Sequence, residues 1–184
     1  MGKLIVVEGI DRSGKSTLVE KLSKHLNCHK SGFPDRSTPI GKLINSILTK
    51  ELTLSDKHAM HLLFTANRWE LQEHLRELLT TQDVVLDRYI YSGIAYSVAQ
   101  GISKDWCLSK EEALIKPDKI LYLDLSPTVA FARKGFGDEL YEKKIFLELV
   151  VKAFMDLKTK EWCVIDATQS LDKVFDLAVE FVSK

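Results

Sequence analysis

The 184-residue sequence has no excess charge of either sign: Lys and Arg together number 26, and so do Asp and Glu. No overall field draws the chain toward nucleic acid or an anionic membrane, so any basic cluster must be local. Cysteine is scarce. Cys28, Cys107 and Cys163 are odd in number, scattered, and form no Cys-x-x-Cys pair. That pattern excludes a disulfide framework and predicts free thiols in a reducing compartment. No apolar run is long enough to span a bilayer, and the first strand pattern begins at Lys3. Neither a membrane anchor nor a signal peptide is expected, and the default location is cytoplasmic or nuclear. Internal repeats, linkers and low-complexity segments are also missing. The expectation is a single domain, 1–184, long enough for one sizeable core, with small molecules rather than nucleic acid or membrane as partners.

What is present concentrates in residues 3–27. Lys3 to Glu8 is a short, β-branched apolar run that reads as a buried strand, and Gly9 ends it. From Thr17 the period changes: Leu18, Leu22 and Leu26 recur every four residues with Glu20, Lys21 and Lys24 between them, an amphipathic helix. Between the two lie Gly9, Ile10, Asp11, Arg12, Ser13, Gly14, Lys15, Ser16 and Thr17, the Gly-x-x-x-x-Gly-Lys-Ser pattern. In the setting of strand, loop and helix it reads as a phosphate-binding loop. Gly9 and Gly14 permit backbone angles that turn successive N–H groups onto an anion. The helix adds its free N-terminal amides and the positive end of its dipole. Lys15 is then expected at the β- and γ-phosphates, and the Ser16 hydroxyl on Mg²⁺. A magnesium-bound nucleoside triphosphate is the predicted ligand.

Further along, Asn27 to Gly32 holds a second strand, and Pro34 keeps Phe33 extended before Asp35 and Arg36. Ser37 or Thr38 caps a helix outlined by Ile40, Leu43, Ile44, Ile47 and Leu48. A long helix is predicted from Ser55 to Thr80, with Leu62, Leu63, Trp69, Leu71, Leu75, Leu78 and Leu79 on its buried side. Asp83 to Asp87 reads as a buried strand, 88–93 as a turn, 94–100 as helical, and 103–112 as a loop with a short helix. A strand at 119–124 leads to Ser126-Pro127, a helix cap with proline in the first turn. A flexible segment at 135–139, a helix at about 140–157, a strand at 162–166 and a helix at 171–182 complete the chain. Strands alternating with helices predict an α/β fold: a five-stranded parallel sheet with helices on both faces, of the P-loop NTPase kind, with a short lid. Ligands in such sheets sit beyond the carboxyl ends of the strands, where the phosphate loop, the Phe33–Arg36 segment and Asp87-Arg88 would converge.

No Asn-Lys-x-Asp guanine motif is present, which argues against a signalling GTPase. An arginine directly after Asp87 points to a second anionic substrate rather than to an activated water. Arg36 and Arg68 add two more cations in apolar surroundings. Three arginines and a lysine around one cleft suit phosphoryl transfer, where positioning and charge neutralisation do most of the work. A nucleoside kinase, acting on a neutral hydroxyl, would not need Arg36 and Arg88 together. A slowly hydrolysing nucleotide switch would take water as acceptor. His58 and His61 stand three apart on a helix but lack a third ligand and read as surface or interface residues. Asp124 reads as a capping or structural residue, and Trp106 and Trp162 as packing.

The segments 8–17, 33–38 with 40–42, 63–70, 87–93 and 105–107 resemble, in order, those of thymidylate (dTMP) kinases of the eukaryotic and large-DNA-virus type. The resemblance covers most of the chain. It implies transfer of the γ-phosphate of MgATP to dTMP and a homodimer, whose interface would use the 43–48 or 62–79 segments. It also implies that Asp11 bonds the acceptor's 3′-hydroxyl, that Arg12 contacts the transferring phosphate, and that Arg36 and Arg88 grip the acceptor phosphate. Phe64 would stack on thymine while Arg68, four residues on, donates to a base carbonyl. Phe33, Ser92 and Gly93 would border the acceptor, with Tyr96 under its deoxyribose. Asp87 would hold Mg²⁺ opposite Ser16. Arg133 would lie along the adenine, and a lid at 135–141 would bring Tyr141 near the acceptor. One departure is Leu147, where the family often carries a polar residue.

Overall fold

The computed structural model describes residues 1–133 and 144–184. Five strands, β1 (Leu4–Glu8), β2 (His29–Gly32), β3 (Val84–Asp87), β4 (Lys119–Asp124) and β5 (Cys163–Asp166), form one sheet in the order β2-β3-β1-β4-β5. Every pairing is parallel. The described helices are α1 (Lys15–Leu26), α2 (Pro39–Leu48), α3 (Lys57–Glu70), α4 (Gln72–Leu79), α5 (Ile90–Ala99), α6 (Lys104–Glu111), α7 (Pro127–Ala132), α8 (Lys144–Leu157) and α9 (Leu171–Val182). The expected α/β architecture, a five-stranded parallel sheet between helical layers, is therefore what forms. The lid at 135–141, with Tyr141, lies outside the described residues.

β1 is buried along its whole length because it runs through the middle of the sheet. Successive side chains leave opposite faces of a strand. Ile5 and Val7 accordingly pack with residues of α1, α8 and α9, while Leu4 and Val6 pack with residues of α4 and α5. A smaller cluster, Ile44, Ile47, Leu48 and Met60, joins α2 to α3. Leu147 sits fully buried in the core. No helix among the described residues is long and apolar enough to cross a membrane.

The structure corrects several expectations. The long helix breaks at Leu71, between α3 and α4. The Gln72 side chain occupies the break: its amide donates to the Arg68 carbonyl (3.1 Å) and to the Tyr89 hydroxyl (2.8 Å), and its oxygen accepts from Ile115 N–H (2.9 Å). Leu62 and Trp69, expected on the buried side, are exposed. His61, read as a surface or interface residue, is buried within the chain, whereas His58 is exposed. Asp124 is exposed at the end of β4 and does not cap α7, whereas Ser126 caps it as expected, by accepting from Val129 N–H.

The segment 88–93 is not simply a turn, because α5 begins at Ile90. No side chain of its own N-cap residue, Tyr89, supports that start. Glu8, fully buried at the end of β1, does so instead: its Oε1 accepts from Tyr89 N–H (3.1 Å) and Ser92 N–H (3.2 Å). Burial raises the Glu8 pKa, while the Ser92 hydroxyl and Arg88 work in the other direction.

Candidate functional site

The loop between β1 and α1 turns through left-handed backbone at Gly9 (φ 146°), Arg12 (φ 63°) and Gly14 (φ 98°). A Cβ at Gly9 would stand 2.8 Å from the Leu123 carbonyl oxygen, so the loop can lie against β4 only because that position is bare. Arg12 and Arg88 (φ 66°) are both non-glycine residues in this costly region, and both border the same cavity. Lys15 is buried and donates to the Ile10 carbonyl (2.7 Å). Burial and the neighbouring Arg88 lower its pKa to about 8, against the opposite pull of Asp11, Asp87 and Glu8. Arg133, at the end of α7, donates to the carbonyls of Arg12 (2.5 Å) and Ala167 (3.0 Å), which sets it beside the loop.

Ser16 and Asp87 meet across the loop, the hydroxyl donating to Asp87 Oδ2 at 2.5 Å. Asp87 Oδ1 is buried without a hydrogen-bond partner among the described residues. An orphaned carboxylate oxygen beside a hydroxyl is a hard, oxygen-only donor set of the kind magnesium accepts together with phosphate and water. The residues present therefore fit that ion.

Arg88 lies between loop and helix. Its Nη1 donates to the Gly9 carbonyl (3.1 Å) and to Ser92 Oγ (3.2 Å), and its Nη2 to Asp11 Oδ1. Ser92 passes the contact on by donating to Glu8. Tyr96 donates to Asp11 Oδ2 (2.8 Å). Burial opposes the charge on Asp11, yet Arg88, Lys15 and the Tyr96 hydroxyl outweigh it and hold the carboxyl at about 2. Two opposite charges thus neutralise each other where the loop meets α5.

From this point a second cavity of about 430 Å³ opens toward α2 and α3. Its walls include Phe33, Arg36, Phe64, Arg68, Ser92, Gly93 and Tyr96. Phe33 is buried against Tyr89 with ring centroids 5.4 Å apart. Arg36 is exposed and donates to Asn45 Oδ1 on α2 (2.7 Å). The loop that carries it is tied to α3 by buried Asn67, which accepts from Asp35 N–H (2.8 Å) and donates to Thr38 Oγ1 (2.8 Å). Thr38, rather than Ser37, caps α2.

Gly93, which lines this cavity, also has a packing reason to be bare. A Cβ there would stand 2.7 Å from Nη2 and 2.9 Å from Nη1 of Arg68, so the glycine makes room for the guanidinium. Arg68 itself is 2% exposed. Its Nε and Nη2 both donate to Glu111 of α6, a fully buried carboxylate that the sequence reading missed. Glu111 falls in a stretch with weak periodicity, 43 residues from its partner, and nothing local marks it. Glu8 went without a role for a similar reason, since its contacts lie 81 and 84 residues away. The two cavities share Asp11, Ser16, Asp87 and Arg88.

Comparison with known proteins agrees with this fold. Residues 7–178 match the family model described as thymidylate kinase. The chain is 44% identical over 179 residues to a thymidylate kinase of Arabidopsis thaliana, covering 94% of this chain and 68% of that one. To the Homo sapiens thymidylate kinase it is 42% identical over 185 residues, covering 95% and 87% respectively. A solved thymidylate kinase structure from Candida albicans superimposes with a TM-score of 0.92 at 43% identity, covering 99% of this chain and 91% of its own. A chain with this loop, this sheet and these relatives belongs to the thymidylate kinase family.

Proposed function

We propose that the protein transfers the γ-phosphate of MgATP to dTMP, giving dTDP and ADP for dTTP synthesis, with residues 1–184 acting as one catalytic unit. The observation that carries the reading is the junction of the two cavities at Asp11, Ser16, Asp87 and Arg88. One cavity offers the loop amides and Lys15 to a triphosphate. The other offers arginines and aromatic rings to a second nucleotide, and the reacting groups would meet at the shared residues. Such a transfer needs little covalent chemistry from the protein; alignment and neutralisation of charge suffice.

Lys15 and Arg12 would carry positive charge to the transferring phosphate, in a setting where fixed dipoles act more strongly than in water. Arg88 and Arg36 would hold the acceptor phosphate, with Arg88 exchanging its present partner Asp11 for phosphate oxygens. Asp11 would then be released to the acceptor sugar, and Tyr96 would underlie that sugar. Phe64 would stack on the base and Arg68 would donate to a base carbonyl, with Phe33 and Ser92 at the border. Gly9, Ile10, Ser13, Gly14 and Thr17 would supply the loop backbone, and Arg133 would flank the adenine. Ser16 and Asp87 would hold the magnesium ion, whose charge, when bound, offsets that of the phosphate oxygens.

A nucleotide-panel kinase assay with ATP and Mg²⁺ tests the assignment. Turnover of dTMP well above that of dCMP, AMP or water is the expected result, and equal turnover of dCMP or AMP would sink it. Replacement of Arg68 by Ala should raise the dTMP KM while ATP still binds. The proposal includes a homodimer in the cytoplasm or nucleus. Exposed Leu43 on α2, with Leu62 and Trp69 seven apart on α3, supports the dimer. Light scattering should return twice the chain mass of 20.9 kDa.

A further inference from the structure

We infer that Glu111 on α6 is a positioning residue that sets base selectivity in the acceptor cavity by fixing which edge of the Arg68 guanidinium faces it. The inference rests on the proposed role of Arg68 at the acceptor base and goes beyond it.

A guanidinium with 2% exposure cannot stay buried without a counter-charge. Glu111 provides it in forked form: Nε meets Oε2 at 2.9 Å and Nη2 meets Oε1. Two parallel contacts fix the plane of the group as well as its position. The carboxylate is itself held, since Thr65 Oγ1 donates to Oε1 at 2.7 Å. His61 closes the far side, with Nε2 3.5 Å from Oε1 and Nδ1 2.8 Å from Ser97 Oγ, a residue of the cavity wall. Bare Gly93 leaves the space that the guanidinium fills.

This arrangement uses the Nε and Nη2 edge and leaves Nη1 without a protein hydrogen bond among the described residues, on a side chain that lines the cavity. Nη1 can only donate. A donor held rigidly selects a pyrimidine with a carbonyl at that point and rejects one with an amino group, because two donors would then face each other in a dry site. A guanidinium without Glu111 could swing away and relieve the conflict. Selectivity would then fall along with affinity.

The test compares dTMP and dCMP as acceptors at saturating MgATP. Glu111→Gln keeps the shape but replaces one acceptor oxygen with a donor. It should raise the dTMP KM by about 10- to 100-fold and lower the dTMP-to-dCMP ratio of kcat/KM at least ~10-fold, with kcat and the ATP KM within about threefold. Glu111→Asp should recover part of the loss. Arg68→Met with Glu111→Gln removes both charges and so should keep the fold. Its dTMP KM should match that of Arg68→Met alone to within about twofold, since Glu111 acts through Arg68. A Glu111→Gln enzyme with unchanged selectivity overturns the proposal alone, as does equal loss toward ATP and dTMP or full additivity in the double variant. Wild-type enzyme that takes dCMP as readily as dTMP overturns the base assignment and this proposal together.

Discussion

The two sides of the cleft share four residues but are held in shape by different means. The triphosphate side is a run of consecutive backbone, residues 9–17, bent by left-handed angles and closed by the first turn of α1. The acceptor side is an assembly of side chains from α3, α5, α6 and the loop after β2, joined by hydrogen bonds that span 29 to 46 residues. Local backbone binds any phosphate presented to it, whereas side chains from separate elements can be set to one base. On the proposed roles, generality on one side and selectivity on the other would follow from that difference.

The largest expected effect tests the triphosphate side. Arg12→Gly should lower kcat by about 10³-fold while leaving the ATP KM within about threefold, because its contact strengthens as charge develops. Steady-state kinetics checks this, and equal losses in both would remove Arg12 from that role. The matching change on the acceptor side is Gly93→Ala, which drives a methyl group into Arg68. It should raise the dTMP KM about tenfold and spare ATP, a split that would show the two sides to be separable.

Glu8 links the sides, so its loss should be felt by both. Glu8→Ala leaves the buried Tyr89 and Ser92 N–H groups without their acceptor and should cost roughly 2–3 kcal/mol in a denaturant melt. A stability within experimental error of wild type would refute its capping of α5.

The smallest effect concerns protons. Lys15 titrates near 8 in the free protein rather than at 10.5, so at pH 9 it is mostly neutral. A bound triphosphate favours the ammonium form and raises that pKa. ATP binding at pH 9 should therefore take up a proton, at most about one per site, whereas at pH 7 uptake at Lys15 should fall to about a tenth of that. Its affinity should fall as pH rises from 8 toward 10.5. Calorimetry in buffers of differing ionisation enthalpy measures the uptake, and no pH dependence would show that Lys15 stays charged throughout.

Legibility in the sequence followed the same division. Gly9 to Thr17 could be read directly, because a loop's conformation depends on its own residues and on the strand and helix adjoining it. The β-branched run of β1 and the leucine spacing of α1 were equally plain, for burial imposes periods of two and 3.6 on any chain. Reading Leu62 and Trp69 as buried failed because an apolar stripe shows its width but not which part a neighbour covers. The break at Leu71 escaped because Gln72 stabilises it through Tyr89 and Ile115, distant in sequence.

The order of residues was thus enough to determine a triphosphate loop, an alternation of strands and helices, and a wealth of arginine near strand ends. Only the folded chain decided that Glu8 would start α5, that Glu111 would neutralise Arg68, and that Asp11 would pair with Arg88. The reason is physical: a buried charge must find its partner wherever the fold brings one within reach, and no short-range pattern records a contact made eighty residues away.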